Sequence, residues 1–218
     1  SDVCSSDLIP DPVDFLFRKA VESTGANVRT CRVDKHTGDL NLNDLNQLIH
    51  PSTKAIFICN PNNPLGKRIS KAHLNALIEI AITNNLWIVS DEIWADISFD
   101  GKVTSLFDPS LTPFDKKLIV SGLSKNFALA GLRIGYVLCQ NTTVFKQLLA
   151  ESGHTTTAFG IPVLSQIAGA AAFNHSAYWL DEFLVHLYDM KKLSEQFITE
   201  FPYLESTGSD AKIGRAHV

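Results

Sequence analysis

The sequence predicts an α/β fold, in which helices cover both faces of a doubly wound, mostly parallel sheet and a long helix follows. Short apolar segments alternate with segments whose apolar residues recur at helical spacing, and this alternation is typical of parallel sheets. Polar motifs follow three of the apolar segments. Because ligand-binding groups collect at the carboxyl ends of the strands in such sheets, we expect these motifs to lie together.

Helices and strands alternate in the first half of the chain. The segment 55–59, AIFIC, is apolar throughout, as expected of a strand that is buried on both faces. Ser70 precedes a segment in which Leu74 and Leu77 share one helical face, so it is expected to cap a helix. In chain order, we predict a helix at 15–24, a strand at 27–33, a helix at 43–49, a strand at 55–59, a helix at 71–84 and a strand at 86–90.

The second half is predicted to complete the sheet and then to become helical. Strands are expected at 117–120 and 133–138, and helices at 142–152, 161–173 and 176–201. The last helix is amphipathic. Its apolar face consists of Trp179, Leu180, Phe183, Leu184, Leu187 and Met190.

The composition disfavours several classes of protein. A chain of 218 residues with 45% hydrophobic residues can bury a substantial core. Its formal net charge of -4 shows no basic excess, so nucleic acid is not expected as a partner. Polar residues interrupt the apolar segments, so no membrane partner is expected. Cys31, Cys59 and Cys139 lie in strand-like segments at unrelated spacings, which indicates no disulfide framework and no metal site, and favours a cytoplasmic setting.

The two ends of the chain are related through their coding DNA. One DNA segment can encode residues 2–8, and its reverse complement can encode residues 213–218. We therefore expect residues 1–8 and 212–218 to come from a non-native, adapter-like sequence. Such segments are excluded from functional reasoning.

Three motifs carry the chemistry. In 121–136, SGLSKNFALAGLRIGY, Lys125 lies in a turn of small residues between two predicted strands, and Arg133 follows eight residues later. The segment 60–66, NPNNPLG, and the segment 89–93, VSDEI, each follow or end another predicted strand. A single turn lysine is usually a solvated cation, and NPNNPLG alone is simply a turn. The three together require another explanation.

These motifs, in this order, resemble those of the fold-type I, pyridoxal-phosphate-dependent aminotransferases of class I and II. The resemblance extends from about residue 10 onward. It implies pyridoxal 5'-phosphate (PLP) as the cofactor, transfer of an amino group between an amino acid and a 2-oxo acid, and a homodimer. It also implies that 9–173 is part of the large PLP-binding domain and that 174–211 is the helix leading to a C-terminal domain outside this chain. The chain alone is therefore expected to be inactive.

The resemblance assigns a role to each residue of the motifs. Lys125 binds the cofactor covalently and then moves a proton at the substrate. Asp91 pairs with the ring nitrogen of the cofactor, and Asn63 donates to its phenolic oxygen. Arg133 binds the phosphate through its forked donors, with the hydroxyl of Ser124 as an additional donor.

The chain departs from the family pattern at several positions. Trp94 stands where many members have a tyrosine that donates to the phenolic oxygen, so either its indole N–H replaces that donor or its ring only packs. Asp14 falls where an aromatic residue that stacks on the cofactor is expected, and Phe15 is the alternative for that role. Gly122 replaces a phosphate-binding hydroxyl of some members.

Two other functions remain open at this point. WLDEF at 179–183 and the missing tyrosine at position 94 are similar to the cystathionine β-lyase-like branch, whose members are PLP-dependent carbon-sulfur lyases. An aminotransferase-like domain can also sense PLP within a transcription regulator.

Overall fold

The computed structural model describes residues 5–99, 101–156, 160–206 and 208–211. Within these ranges the strands form one six-stranded sheet with the order β2-β1-β3-β4-β5-β6. Strands β1 to β5 are parallel to one another, and β6 is antiparallel to β5. The strands are β1 (Ser6–Asp11), β2 (Asn27–Arg32), β3 (Thr53–Cys59), β4 (Trp87–Asp91), β5 (Lys117–Gly122) and β6 (Gly135–Cys139). The predicted α/β class with a mostly parallel sheet is confirmed.

The helices lie within a few residues of their predicted positions. They are α1 (Phe15–Ser23), α2 (Leu42–Leu48), α3 (Lys71–Thr83), α4 (Thr142–Glu151), α5 (Val163–His175) and α6 (Ala177–Thr199). Ser70 caps α3 as predicted, since its side chain accepts a hydrogen bond from the backbone N–H of His73. Asn141 caps α4 in the same way, through the N–H of Val144.

Strand β1 was not among the predicted elements, because residues 1–8 were set aside as adapter-like. In the structure β1 lies between β2 and β3, where Leu8 pairs with Arg29 on one side and with Ile56 on the other. Leu8 is buried in the core. The origin assigned to residues 1–8 stays a prediction, while their last three residues take part in the sheet.

Alternation along the strands separates two faces of the sheet. Ile56 and Ile58 of β3 pack in the cluster that contains Leu45 of α2 and Leu74 of α3. We call this side, covered by α2 and α3, the core face. The other cluster contains Cys59, with Phe57 packed against it, together with Phe17 and Val21 of α1. We call this second side, covered by α1, the cavity face. Helices therefore cover both faces, as the sequence predicts.

The last strand begins later than predicted. The expected strand started at Arg133, but β6 starts at Gly135. Arg133 has a left-handed backbone with φ of 53° and follows a short 3-10 turn at Ala130–Leu132. A residue in this conformation cannot pair in a sheet, and this delays the strand.

Helix α6 has the predicted amphipathic face. The six apolar residues expected on that face are all partly buried, while Tyr178 and Val185 on the other side are exposed. Among the helices of the described ranges, none combines the length and the apolar character that a bilayer crossing requires.

Candidate active site

A cavity of about 580 Å³ lies on the cavity face, at the carboxyl ends of β3, β4 and β5 and beside α1. Side chains of the strands, Phe57, Val89 and Val120, line it together with Leu16 and Phe17 of α1. All of the site residues predicted from the sequence line this one cavity: Asn63, Asp91, Trp94, Ser124, Lys125 and Arg133. They come from three separate segments, at or after the ends of β3, β4 and β5, that the parallel sheet brings to one edge.

The three asparagines of NPNNPLG make different contacts. Asn60 is fully buried, where its side chain accepts from the N–H of Ile69 and donates to the carbonyl of Thr104. Asn62 is also buried and accepts from the N–H of Leu65 at 3.1 Å. Both hold the turn in shape. Asn63 is left to line the cavity, where its Nδ2 donates to a carboxylate oxygen of Asp14 at 3.0 Å.

Asp91 and Glu92 point to opposite sides of the sheet. Asp91 ends β4 and lines the cavity, and its Oδ1 accepts from the N–H of Ile93 at 3.0 Å. Glu92 is 6% exposed, and its carboxylate accepts from the hydroxyl of Ser90 at 3.0 Å and from the N–H of Leu106 at 2.8 Å. Burial raises the pKa of Glu92 above its ordinary value, although these hydrogen bonds partly oppose the rise. Two adjacent acids thus have separate environments.

Lys125 lies against an aromatic ring. Its Nζ is 4.8 Å from the centre of the Trp94 ring, which places the amine over the ring face at a distance typical of a cation–π contact. Next to Lys125, the buried Asn126 donates from Nδ2 to Asp96 at 2.7 Å. This hydrogen bond joins the turn that carries Lys125 to the turn that carries Trp94.

Close backbone contacts fix the loop between β5 and β6. Gly122 pairs with Gly135, and a Cβ atom added at Gly122 would lie 2.8 Å from the carbonyl oxygen of Ile134. A side chain with a hydroxyl therefore does not fit at position 122, which explains this departure from the family pattern. Ser165 of α5 supports the same loop, since its hydroxyl donates to the carbonyl of Leu132 at 3.0 Å.

Sequence reasoning missed Asp14 as a site residue. Asp14 lines the cavity, whereas Phe15 is 63% exposed and does not line it. The Oδ1 atom of Asp14 accepts from the N–H of Leu16 at 3.0 Å and so caps α1. An aspartate directly before an amphipathic segment is typical of a helix cap, but this local signal does not indicate that Asp14 also lines the cavity.

The site has no metal-binding cluster within the part of the chain that the structure describes, where no three His, Cys, Asp or Glu residues are grouped to hold an ion. A smaller cavity of about 320 Å³ adjoins the main one at Trp94, Ser124 and Lys125 and extends to Phe183 and Leu187 of α6. The main cavity is lined by two cationic and two carboxylate side chains, together with amide, hydroxyl and apolar groups. These are the groups that bind an anionic aromatic cofactor.

Comparison with known proteins agrees with this geometry. Residues 8–207 match the family described as "Aminotransferase class I and II". An aspartate aminotransferase of Sulfolobus acidocaldarius is 34% identical over 173 residues, which are 77% of this chain and 42% of that protein. The chain spans less than half the length of the curated relatives it matches.

Solved structures show the same fold. A double mutant of the Thermus thermophilus aspartate aminotransferase matches with a TM-score of 0.85 at 24% identity. The match covers 97% of this chain and 55% of the chain of that enzyme. A PLP-bound C-S lyase from Staphylococcus hominis has a TM-score of 0.84 at 24% identity, with 97% and 54% covered. Identity at this level supports the fold alone. The match across residues 8–207 shows that this chain belongs to the class I and II aminotransferase family.

Proposed function

We propose that this chain is the cofactor-binding part of a PLP-dependent aminotransferase, which moves an amino group between an amino acid and a 2-oxo acid. The observation that supports this most strongly is that one lysine, one strand-end aspartate, one asparagine and one arginine from three separate motifs line a single cavity. The family assignment is independent support.

The residues present fit the chemistry of PLP. The cofactor requires an amine to bind it, an anion beside its ring nitrogen, a donor for its phenolic oxygen and a cation for its phosphate. Lys125, Asp91, Asn63 and Arg133 supply one of each. A volume of about 580 Å³ is within the usual range of small-molecule sites. When bound, PLP supplies an electron sink that stabilises negative charge on the substrate α-carbon.

Each side chain then has a defined task. The amine of Lys125 would hold the cofactor and would take and return the proton at the substrate α-carbon. Asp91 keeps the ring nitrogen protonated through its negative charge. Asn63 donates to the phenolic oxygen, while Arg133 and Ser124 bind the phosphate. The ring of Trp94 packs beneath the lysine amine and limits its movement.

Aminotransfer is better supported than carbon-sulfur cleavage. The family match and the 34% identical relative both carry aminotransferase names. The likeness to a C-S lyase is at 24% identity and therefore concerns the fold. WLDEF at 179–183 lies in the first half of α6, and Phe183 lines the smaller cavity but not the main one.

The proposal extends to the location, the oligomeric state and the domains of the complete protein. We take the complete protein to be a cytoplasmic homodimer. Residues 9–173 would belong to the large PLP-binding domain, and 174–211 would lead to the C-terminal domain.

Borohydride reduction of the complete, PLP-loaded protein tests the proposal, because it converts the lysine–PLP linkage to a stable amine. Peptide mapping is expected to find the label on Lys125, and no stable label is expected in Lys125→Ala. A label on Lys116 or Lys146 in the unchanged protein would overturn the assignment.

Product analysis with amino acid substrates should give 2-oxo acids without thiol release. Thiol and pyruvate would instead identify a lyase, and bound PLP without either product would favour a sensing domain.

A further inference from the structure

The two carboxylate oxygens of Asp14 have different partners. Oδ1 accepts from the N–H of Leu16 at 3.0 Å and caps α1. Oδ2 accepts from Nδ2 of Asn63, also at 3.0 Å. Asp14 therefore joins the start of α1 to the turn that follows β3, and both Asp14 and Asn63 line the main cavity.

A second hydrogen bond fixes the same two segments. Asn62 donates from Nδ2 to the carbonyl of Pro12 at 3.2 Å. Adjacent asparagines of the turn thus donate to residues two positions apart in the segment that precedes α1. The buried Asn62 sets the distance between the segments. Within this frame, the hydrogen bond to Asp14 constrains how the Asn63 amide is oriented.

The orientation follows from the chemistry of the two groups. A side-chain amide has an oxygen that accepts and a nitrogen that donates, and the two differ little in size. A carboxylate only accepts hydrogen bonds. The amide of Asn63 must therefore turn its nitrogen toward Asp14, as observed. This nitrogen carries two hydrogens, so it can donate to Asp14 and to a ligand oxygen at the same time.

We infer that Asp14 is a positioning residue that holds the Asn63 amide with its nitrogen available to the phenolic oxygen of the cofactor. The inference rests on the proposed function. Without Asp14 the amide loses this constraint, and an amide that presents its oxygen repels an anionic phenolic oxygen. Asp14 acts in this way through Asn63, in a position where an aromatic residue was expected from the sequence.

Loss of Asp14 has two consequences of opposite sign for the bound cofactor. Removing a nearby negative charge makes protonation of the bound PLP less favourable. The midpoint of the pH titration of the PLP absorbance is then lowered. Losing a donor to the phenolic oxygen destabilises negative charge there and raises the midpoint. The sign of the shift thus separates a role through Asn63 from a purely electrostatic role.

The experiment is a pH titration of the cofactor absorbance in the complete, PLP-loaded protein. Asp14→Ser keeps a capping hydroxyl for α1 but removes the second acceptor. We expect its midpoint to rise by about half a pH unit to one unit, which corresponds to one hydrogen bond. Asn63→Ala should shift it in the same direction. The double variant should show no shift beyond that of Asn63→Ala, because both changes remove the same donor.

Two further variants complete the design. Asp11→Asn removes the same charge three residues earlier, from an exposed side chain that does not line the cavity, and should lower the midpoint slightly or leave it unchanged. Asp14→Asn covers the case in which Asp14→Ser does not fold. Leu16 and Asn63 bind different oxygens of Asp14, and an asparagine has an oxygen at only one of these two positions, so it keeps one of the two contacts and a smaller rise is expected. In the cofactor-free protein, the urea-unfolding midpoint of Asp14→Ser should stay close to that of the unchanged chain.

The outcomes distinguish this inference from the proposed function. If Asn63→Ala causes no shift, Asn63 does not contact the phenolic oxygen and its proposed role fails. If Asn63→Ala raises the midpoint while Asp14→Ser and Asp14→Asn lower it or leave it unchanged, Asp14 does not position Asn63. Additive shifts in the double variant would equally overturn the inference, since independent effects add.

Discussion

The core face and the cavity face are formed by alternate residues of the same strands, yet they are filled differently. On the core face, Ile58 and Ile88 are fully buried and pack in one cluster with α2 and α3. On the cavity face, Phe57 and Val89, each one position away, line an open volume beside α1. One face therefore supplies stability, and the other keeps space for a ligand.

The charged residues follow the same division. Asp91 lines the cavity, and Glu92 is buried on the core face, where it binds the peptide N–H of Leu106. Lys117 binds the carbonyl of that same residue from its buried amine at 3.2 Å. Burial also lowers the pKa of Lys117. These two buried side chains hold the loop around Leu106 to the sheet, whereas Asp91 lines the cavity. The comparison teaches that the side of the sheet, more than residue type, decides what an acid does.

The largest expected effect is on catalysis and uses the adjacent acids. Asp91→Asn should keep the shape of the site but remove the charge that keeps the ring nitrogen protonated. We expect proton removal from the substrate α-carbon to slow by about 100-fold or more. Deuterium exchange at that carbon, followed by NMR in the complete protein, measures the rate.

Glu92→Gln is the matched control, since it removes one charge from the neighbouring residue on the core face. Its exchange rate should remain within about threefold of the unchanged protein, a difference of well under 1.4 kcal/mol. Equal losses in both variants would mean that the two faces are not functionally distinct.

The second prediction compares adjacent apolar residues of β4. Ile88→Ala creates a cavity in the packed core face and should lower the free energy of unfolding by about 2–5 kcal/mol. Val89→Ala enlarges a space that is already open, so it should cost about 1 kcal/mol or less. Urea unfolding of the cofactor-free proteins measures both. A loss for Val89→Ala as large as that for Ile88→Ala would show that the cavity face is packed like the core.

The smallest expected effect is a pH dependence of stability. Because burial raises the pKa of Glu92, the folded chain binds this proton more tightly than the unfolded chain. The resulting stability is fully present below the ordinary pKa of a glutamate and is lost as the pH rises through the raised value. The free energy of unfolding of Glu92→Gln should therefore increase, relative to that of the unchanged protein, as the pH rises from about 4 to 7.

Urea unfolding at a series of pH values checks this trend. Glu79→Gln removes the same charge from an exposed residue of α3 and serves as the control. A difference between Glu92→Gln and the unchanged protein that does not vary with pH would contradict the raised pKa.

The sequence alone determined most of the elements and six of the residues that line the cavity. Apolar segments such as AIFIC at 55–59 form a buried strand in any α/β sheet, and Ser70 caps α3 because capping depends on residues close in sequence. The position of Asn63, Asp91 and Lys125 at strand ends also follows from local pattern, and parallel pairing then brings the three together.

Only the tertiary structure decided the contacts between distant segments. Three such contacts are the insertion of β1 between β2 and β3, the close approach of Gly122 to Ile134, and the pairing of Asp14 with Asn63. Such contacts depend on distances between folded segments, and no periodicity or capping pattern encodes them. For this reason the sequence named six residues that line the cavity but not the contact that Asp14 makes with one of them, Asn63.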